Sequence, residues 1–305
     1  MKILVLGAAG FLGQLVTARL AREGHQLICL VRNLTEGLDK ANVKYAQATI
    51  DDTQALLEHA SDADYVLHFA WDTTPGTSKG QPAVEAVNNL LPTFRLLEQL
   101  HRMPGCPLVF VSSAGAVYSD VLEGNATELS PLSPKSYYGA GKLSVEMFLH
   151  AYAAQTGHPI VIVRPSNVYG PGQTIKRQFA IVPTLMEALR DGSTFKIWGN
   201  GEATRDYLFA EDFSNFFAQL LKQEQHGINT YNVAAQRSCS INDLCGLLEE
   251  ISGSSLSLEY LPERGVDLSG VDFDASHAQA ELGWQATTEL REGLTKTWDW
   301  FLRSR

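Results

Sequence analysis

Two adjacent tyrosines stand a few residues before a lysine in the segment SYYGAGK (136 to 142). A phenol with its ordinary pKa of about 10 stays protonated at neutral pH, so it acts as a base only where its phenolate is stabilised. Residues four apart share one face of a helix, which pairs Tyr138 with Lys142 and turns Tyr137 away. Lowering a phenol pKa to 7 takes about 4 kcal/mol, and one cation at about 4 Å contributes on that order. Desolvation opposes this by raising the pKa of the phenol, so a second positive charge is needed as well. We predict that Tyr138 is an acid/base assisted by Lys142.

A glycine-rich segment, GAAGFLG (7 to 13), follows the first apolar run and precedes a helical pattern that ends at Gly24. Glycine permits a tight turn and close backbone approach, so a pyrophosphate can bind the free amides of a helix N-terminus. The order of strand, glycine loop and helix is typical of a dinucleotide-binding unit. We therefore predict cofactor contacts at Gly7, Gly10, Phe11, Leu12 and Gly13.

Arg32 stands about 20 residues past the glycines, where dinucleotide folds usually have an acid that binds the adenosine ribose. A guanidinium pairs with a 2′-phosphate, whereas a carboxylate repels it. The sequence therefore slightly favours NADP over NAD, and a solvated arginine at a strand end is the alternative.

The composition limits the classes of partner. The chain has 305 residues, 45% of them hydrophobic, and a net charge of -10 with no run of lysines or arginines, which argues against nucleic acid as a partner. No apolar run approaches the roughly 18 residues that span a bilayer, and MKILVLG is too short for a signal sequence, so we expect no membrane partner. The cysteines form no CxxC pair and no metal-ligand spacing, which predicts no metal and fits a reducing cytoplasm; they are Cys29, Cys106, Cys239 and Cys245.

Apolar runs at 2–6, 26–31, 64–70, 107–112 and 159–164 alternate with segments of helical periodicity. Runs that are apolar throughout indicate strands covered on both faces. This pattern predicts an α/β fold with a Rossmann-like, doubly wound parallel sheet in residues 1–170. Past Gly170 we expect a smaller substrate lobe (171–305) with a strand at 195–198 and helices near 176–190, 211–222, 240–251 and 287–303, while residues 203–235 return to the first domain.

Eight segments together resemble the extended short-chain dehydrogenase/reductase family, the nucleotide-sugar epimerases and dehydratases. In order, they are GAAGFLG (7–13), DYVLHFA (64–70), VNNLLPT (87–93), FVSSAGAVY (110–118), YYGAGK (137–142), RPSNVYGPG (164–172), IWGNGEATRDYLFAED (197–212) and LGW (282–284). The resemblance covers nearly the whole chain. These motifs are specific for the family and poorly specific for its members.

The resemblance implies roles for further residues. Lys142 lowers the pKa of Tyr138 and holds the nicotinamide ribose, and a nucleotide diphosphate contacts Asn167 with Arg205 and Arg264 as its cationic partners. The remaining expected cofactor contacts are Asp51, Phe69, Ala70, Asn89 and Pro165. In this family the helix at about 82–99 and the helix that begins near Tyr138 pair across a two-fold axis, which implies a homodimer built as a four-helix bundle.

Three positions depart from the family pattern. Ala114 stands at the usual position of the catalytic serine or threonine, so we expect Ser113, or else its neighbour Ser112, to polarise the sugar carbonyl. Gly115-Ala116 replaces the Asp-Glu pair of the 4,6-dehydratases and cannot transfer protons, which argues against a dehydratase. The acid that commonly recognises adenine is replaced by Thr49, with Asp51 and Asp52 close by.

The sequence thus predicts an NAD(P)-dependent enzyme in which a nucleotide sugar lies over the nicotinamide. Return of the hydride to the opposite face makes it an epimerase, and release of the cofactor makes it a dehydrogenase or ketosugar reductase. One alternative is an NADPH-dependent reductase of a non-sugar ketone or aldehyde, because SSAGAV also resembles the dihydroflavonol-reductase branch. A noncatalytic NAD(P)-binding regulator is the other. Neither the nucleotide nor the sugar follows from these motifs.

Overall fold

The computed structural model describes residues 1–34, 41–60, 62–102, 105–119, 124–175, 180–263 and 270–304. Its centre is a seven-stranded sheet in the order β10-β6-β5-β4-β1-β2-β3, and every pairing in it is parallel. These strands are β1 (Lys2–Leu6), β2 (Gln26–Val31), β3 (Val43–Gln47), β4 (Tyr65–His68), β5 (Leu108–Val111), β6 (Ile160–Pro165) and β10 (Ile228–Val233). The predicted Rossmann-like fold is confirmed.

Helices cover both faces of this sheet. They are α1 (Phe11–Arg22), α2 (Thr53–Ala60), α3 (Pro82–Glu85), a π-helical turn (Ala86–Leu90), α4 (Leu91–Leu100), α5 (Ala114–Val117), α6 (Tyr137–Thr156) and α8 (Ala210–Leu220). In β1, Ile3 and Val5 pack in the core cluster of α1 and α8, whereas Leu4 and Leu6 pack in the cluster of α4 and α6. Since successive side chains of a strand point to opposite faces, a strand buried on both faces is apolar at nearly every position.

Sequence reasoning missed the two edge strands. β3 has the sequence VKYAQ and β10 the sequence INTYNV, and both mix polar with apolar residues. Each is hydrogen-bonded on one side only, β3 to β2 and β10 to β6. An edge strand is more exposed to solvent than a central one, so it lacks the continuous apolar run that marks the inner strands.

The remaining elements build a second, smaller lobe. Its strands are β7 (Asn167–Tyr169), β8 (Thr194–Trp198), β9 (Thr204–Phe209), β11 (Ser238–Ser240) and β12 (Ser257–Leu261), in one sheet of order β11-β9-β7 and a parallel β12-β8 pair. Its helices are α7 (Ile181–Asp191), α9 (Ile241–Ser252) and α11 (Leu290–Arg303), whereas α10 (Ser276–Leu282) packs on β10 and joins the core cluster of α1 and α8. Helices α7, α9 and α11 pack in one apolar cluster through residues such as Leu185, Leu244 and Leu294.

The helix predicted at 82–99 is present but is not uniform, because the π-helical turn interrupts it between α3 and α4. Of the segment predicted to be helical at 176–190, residues 176–179 lie outside the described ranges, and α7 covers most of the rest. No helix in the ranges given above is long and apolar enough to cross a membrane.

Candidate active site

The predicted site residues gather at the carboxyl ends of the parallel strands. Gly7 follows β1, Phe69 follows β4 and Ser112 follows β5, while Pro165 ends β6. In open α/β sheets, ligands bind in the crevice at this edge.

The glycine loop between β1 and α1 fits a dinucleotide. Gly7 has φ of 85°, and a Cβ there would lie 2.5 Å from the backbone nitrogen of Ala70. A Cβ at Gly13 would lie 2.3 Å from the carbonyl oxygen of Gly7. Gly10 caps α1 in an extended conformation without a side-chain hydrogen bond, so the first amides of the helix keep their donors for an anion. Glycine is therefore required at both ends of the loop, and the loop presents donors to a diphosphate.

Tyr138 lies in the first turn of α6. Ser136 caps this helix, its hydroxyl accepting a hydrogen bond from the amide of Gly139 at 3.0 Å. The amide of Tyr138 donates to the Ser78 hydroxyl at 3.2 Å, which ties the helix to the segment between β4 and α3. Tyr137 is 45% exposed on the outer face, as the helical spacing predicts.

Burial governs the acidity of the Tyr138 phenol. Burial raises the pKa of Tyr138 to about 12, a hydrogen bond with the Ser113 hydroxyl acts against this, and the charge of Glu85 adds to it. The phenol is thus a weaker acid in the protein alone than in water. Its use as a base requires an added positive charge, as the desolvation argument from the sequence anticipates.

Lys142 follows one turn later and is 3% exposed. Its Nζ donates to the carbonyl oxygen of Val111 at 2.7 Å and lies 3.8 Å from the ring centroid of Trp71 and 5.8 Å from that of Tyr138. Burial lowers the pKa of Lys142 to about 7, although the charges of Glu85 and Glu146 raise it. Because the ring of Trp71 covers the ammonium, a cation–π contact replaces part of the lost hydration.

The two serines after β5 have different surroundings. Ser113 precedes α5, and its hydroxyl is close enough to the phenol of Tyr138 to lower the pKa of that phenol. Ser112 is buried, its amide donates to the carbonyl oxygen of Val163 at 2.7 Å, and its hydroxyl has no hydrogen-bond partner among the residues described. Ala114, at the family's usual serine position, is fully buried. The structure therefore brings Ser113, and not Ser112, to the phenol.

Asn89 lies in the π-helical turn and is buried. Its Oδ1 accepts from the amide of Asp72 at 2.7 Å, while its Nδ2 donates to Thr73 Oγ1 at 3.1 Å and to Glu85 Oε1 at 3.0 Å. Asn89 thus holds the β4–α3 loop (residues 69–81) at the edge of the cleft. π-helical turns inside helices are frequent at functional sites.

Sequence reasoning missed Trp71, Thr73 and Glu85. None of them belongs to a motif that the resemblance assigns to chemistry, although Glu85 precedes Asn89 by four residues and so shares its helical face. That spacing is the one signal in the sequence that could have indicated Glu85.

Arg32 and Asp51 both pair with protein groups. Arg32 is exposed after β2, and its Nη1 lies 2.8 Å from a carboxylate oxygen of Asp72. Asp51 accepts from Arg95 Nη1 at 3.0 Å. Burial acts to raise the pKa of Asp51, but hydrogen bonds from Thr49 and Arg95 hold it below its usual value. Phe69 and Ala70 lie against Gly7, at the cofactor edge of β4.

The predicted substrate residues lie on neighbouring strands of the second lobe. Asn167 is exposed on β7, and its Nδ2 donates to the carbonyl oxygen of Asp206 on β9 at 3.2 Å. Arg205 precedes Asp206, and its Nη1 donates to the carbonyl oxygen of Thr204 at 2.6 Å. The pairing of β7 with β9 thus brings Asn167 and Arg205 close in the fold. Arg264 lies outside the described residues.

A glycine loop at the first strand, with a tyrosine and a lysine one helical turn apart beside a serine, defines a nicotinamide-dependent enzyme of the short-chain dehydrogenase type. The chain belongs to the NAD dependent epimerase/dehydratase family, whose model matches residues 3–234. The predicted family and enzyme class are confirmed, and the comparisons favour neither the non-sugar reductase nor the noncatalytic regulator.

Three relatives illustrate the similarity. The UDP-glucose 4-epimerase of Mycolicibacterium smegmatis is 31% identical over 99% of this chain and 98% of its own length. A crystal structure of UDP-glucose 4-epimerase with UDP-glucose from Thermotoga maritima has a TM-score of 0.91 at 29% identity, covering 100% of this chain and 99% of that one. The UDP-glucuronic acid 4-epimerase of Bacillus cereus, in complex with UDP-glucuronic acid and NAD, has a TM-score of 0.89 at 28% identity over 100% of both chains. Similar structures that were solved with bound NAD do not support the preference for NADP that the sequence predicts from Arg32.

Proposed function

We propose that this protein is a 4-epimerase of a UDP-sugar. The observation that carries the proposal is the convergence of Tyr138, Ser113 and Lys142 at the edge of the sheet that ends in the glycine loop. Relatives that cover nearly the whole chain and are named as UDP-sugar 4-epimerases support the substrate class.

In this mechanism Tyr138 removes the proton of the sugar 4-hydroxyl, and Ser113 donates a hydrogen bond to the same oxygen. When bound, the dinucleotide supplies a hydride acceptor and a positive ring charge. The glycine loop holds its diphosphate, and Lys142 holds its nicotinamide ribose. C4 would lose its hydride to the dinucleotide, and the resulting 4-ketose, once rotated, would take the hydride back on its other face while Tyr138 returns its proton to the oxygen. One phenol and one serine hydroxyl can serve both half-reactions because the oxygen returns to the same position.

The residues after Ser113 favour epimerisation over dehydration. Ala114, Gly115 and Ala116 carry no group that can transfer a proton. Water loss from C5 and C6 of the sugar needs a further acid and base, whereas epimerisation at C4 needs no acid or base besides Tyr138.

For substrate binding, we propose that Asn167, Arg205 and Arg264 contact the nucleotide diphosphate. A guanidinium offers paired donors that match phosphate oxygens, and the protein carries a net charge of -10, so local cations are needed for an anionic ligand. The adjacency of β7 and β9 supports a joint role for Asn167 and Arg205.

The assay that tests the function is the conversion of a UDP-sugar to its 4-epimer, followed by proton NMR of the anomeric signals, with UDP-glucose, UDP-galactose and UDP-glucuronic acid as substrates. We expect an equilibrium mixture of the two epimers without net change of absorbance near 340 nm. Net oxidation or reduction of the cofactor without an epimer would instead indicate a dehydrogenase or ketosugar reductase. No epimer from any nucleotide sugar would refute the proposal.

The proposed cofactor is NAD. Asp72 already neutralises Arg32, and this pairing reduces the attraction of the guanidinium for a 2′-phosphate. We expect NADH to bind at least as tightly as NADPH in fluorescence titrations. A preference for NADPH of tenfold or more that disappears in Arg32→Ala would restore the NADP prediction.

The proposed assembly is a homodimer through a four-helix bundle, formed by the helical segment 82–100 and α6 of each copy. Exposed apolar side chains on these two segments support it, with Val87 and Met147 each 60% exposed and Phe148 53% exposed. Phe148 stacks on Phe94 at 4.1 Å, which joins the two segments into one surface. Light scattering should give twice the chain mass, and a mass near 33.4 kDa would contradict the dimer.

We further propose that the protein is located in the cytoplasm. The four cysteines all lie among the described residues, are buried and form no disulfide, which suits a reducing compartment. Fractionation of the source cells tests it, and recovery of the protein outside the cytoplasm would overturn it.

A further inference from the structure

Glu85 is a buried carboxylate beside the proposed catalytic pair. It ends α3, and only 4% of its surface is exposed. Its Oε2 accepts from Thr73 Oγ1 at 2.5 Å, and its Oε1 accepts from Asn89 Nδ2 at 3.0 Å. Burying a charge is costly unless it is compensated, so a carboxylate at this depth calls for an explanation.

Glu85 packs directly on α6, the helix that carries Tyr138 and Lys142. A Cβ on Gly141 would lie 2.6 Å from Glu85 Oε1, so a side chain at position 141 would displace the carboxylate. Gly141 directly precedes Lys142 and lies in the same turn of α6 as Tyr138. The carboxylate thus lies against the turn that carries both residues.

The other charged and titratable groups around Lys142 are already engaged. Glu146, one turn further along α6, pairs with Arg164 of β6 at 2.6 Å. His68 of β4 is buried, and burial together with the charge of Lys142 lowers the pKa of His68 to about 3, so it stays neutral.

Tyr138 is a protonated phenol at neutral pH, since burial raises its pKa to about 12. Glu85 lies on α3, and its charge acts on Lys142. Among the contacts of the described residues, its carboxylate accepts hydrogen bonds only from the neutral side chains of Thr73 and Asn89.

We propose that Glu85 is a positioning residue whose charge keeps Lys142 in its ammonium form and whose hydrogen bond from Thr73 holds the β4–α3 loop against α6. This inference rests on the proposed function of Tyr138 and Lys142. A buried amine loses its proton readily, and a negative charge nearby restores the ammonium. The same charge opposes the phenolate of Tyr138, so Glu85 shifts the proton equilibria of both groups toward higher pH.

The test measures the ionisation of Lys142 directly. The protein is labelled with lysine carrying carbon-13 at Cε, loaded with NAD and titrated by NMR, and the Lys142 signal is assigned as the one lost in Lys142→Met. In Glu85→Gln, which keeps the shape of the side chain and removes the charge, we expect the midpoint of Lys142 to fall by about one pH unit. Both limbs of the pH profile of epimerisation should move to lower pH as well.

Thr73→Val is the matched control, because it removes a hydrogen bond to Glu85 but leaves its charge. The Lys142 midpoint should stay at the parent value in Thr73→Val, even where turnover falls. An unchanged midpoint in Glu85→Gln, or an equal shift in Thr73→Val, would overturn the proposal and leave Glu85 a purely structural role.

Should Glu85→Gln not fold, Glu85→Asp decides the matter. The shorter side chain withdraws the charge from Lys142, so the midpoint should fall by a smaller amount, and no fall would again overturn the proposal. The NMR midpoint does not depend on turnover, so a parent enzyme that converts no nucleotide sugar refutes the proposed function without deciding the role of Glu85.

Discussion

Two buried cations, Lys142 of α6 and Arg164 of β6 packed against that helix, have pKa values shifted in opposite directions. Arg164 is bound by Glu146 of α6 through both Nε and Nη2, and its Nη1 donates to the hydroxyl of Tyr118 at 2.8 Å. Burial acts to lower the pKa of Arg164, but these hydrogen bonds raise it above its usual value. Lys142 lies one turn before Glu146 in α6, and burial lowers the pKa of Lys142 to about 7.

The difference is one of pairing and not of depth, since both residues are 3% exposed. Arg164 has a carboxylate in hydrogen-bond contact and is held in one charge state. Lys142 donates to a neutral carbonyl and lies on an aromatic ring, so its charge responds to other groups in the cleft. Removing the carboxylate from the first arrangement would leave a buried charge uncompensated, whereas the second arrangement suits the proton chemistry proposed above.

Breaking the paired cation should have the largest effect. Glu146→Gln leaves the Arg164 guanidinium buried without its counter-charge, and we expect the free energy of unfolding to fall by about 3–5 kcal/mol. Urea denaturation followed by circular dichroism measures this loss. A loss below about 1 kcal/mol, the usual value for a surface pair, would show that the two cations do not differ as argued.

Tyr138→Phe should lower turnover by at least about 10²-fold, because it removes a positioned acid/base, while substrate affinity and unfolding free energy stay near the parent values. Tyr137→Phe is the control on the outer face of the same helix and should retain most of the activity. Equal losses of turnover in the two variants would show that the inner face of α6 is not the one that carries the catalytic phenol.

The two serines sharpen the position of the site. Ser113→Ala removes the hydroxyl that bonds the phenol of Tyr138, so kcat should fall more than in Ser112→Ala. Steady-state kinetics of both variants with the same UDP-sugar provide the measurement. The reverse order would assign the polarising role to Ser112.

Lys142 should leave a signature in the pH dependence of stability. Its folded pKa of about 7 lies below the unfolded value of 10.5, so the unfolded chain binds more protons between these values. Stability contributed by Lys142 therefore rises with pH across this window, by at most about 1.4 kcal/mol per pH unit. In Lys142→Met this rise should be absent, as urea denaturation at pH 7 and pH 9 would reveal. Parallel stability curves for the two proteins would mean that Lys142 titrates normally.

Local patterns made the inner strands and the phosphate loop predictable. A strand covered on both faces is apolar at nearly every position, as in β1 and β5. Gly13 reflects a close contact with the backbone of Gly7 within the loop itself, although the contact that requires Gly7 is with Ala70, distant along the chain. Strands β3 and β10 escaped prediction because one side of an edge strand lacks a neighbour, so polar residues are tolerated there.

The sequence by itself determined the inner strands of the sheet, the glycine loop and the pairing of Tyr138 with Lys142, because strand periodicity and the helical turn are properties of short segments. Only the tertiary structure decided that Asp72 pairs with Arg32, that Ser113 reaches the phenol, and that Glu85 lies against the turn carrying Lys142. Each of these contacts joins segments that are distant along the chain. Their geometry depends on how strands, loops and helices pack together, which no spacing within one segment records.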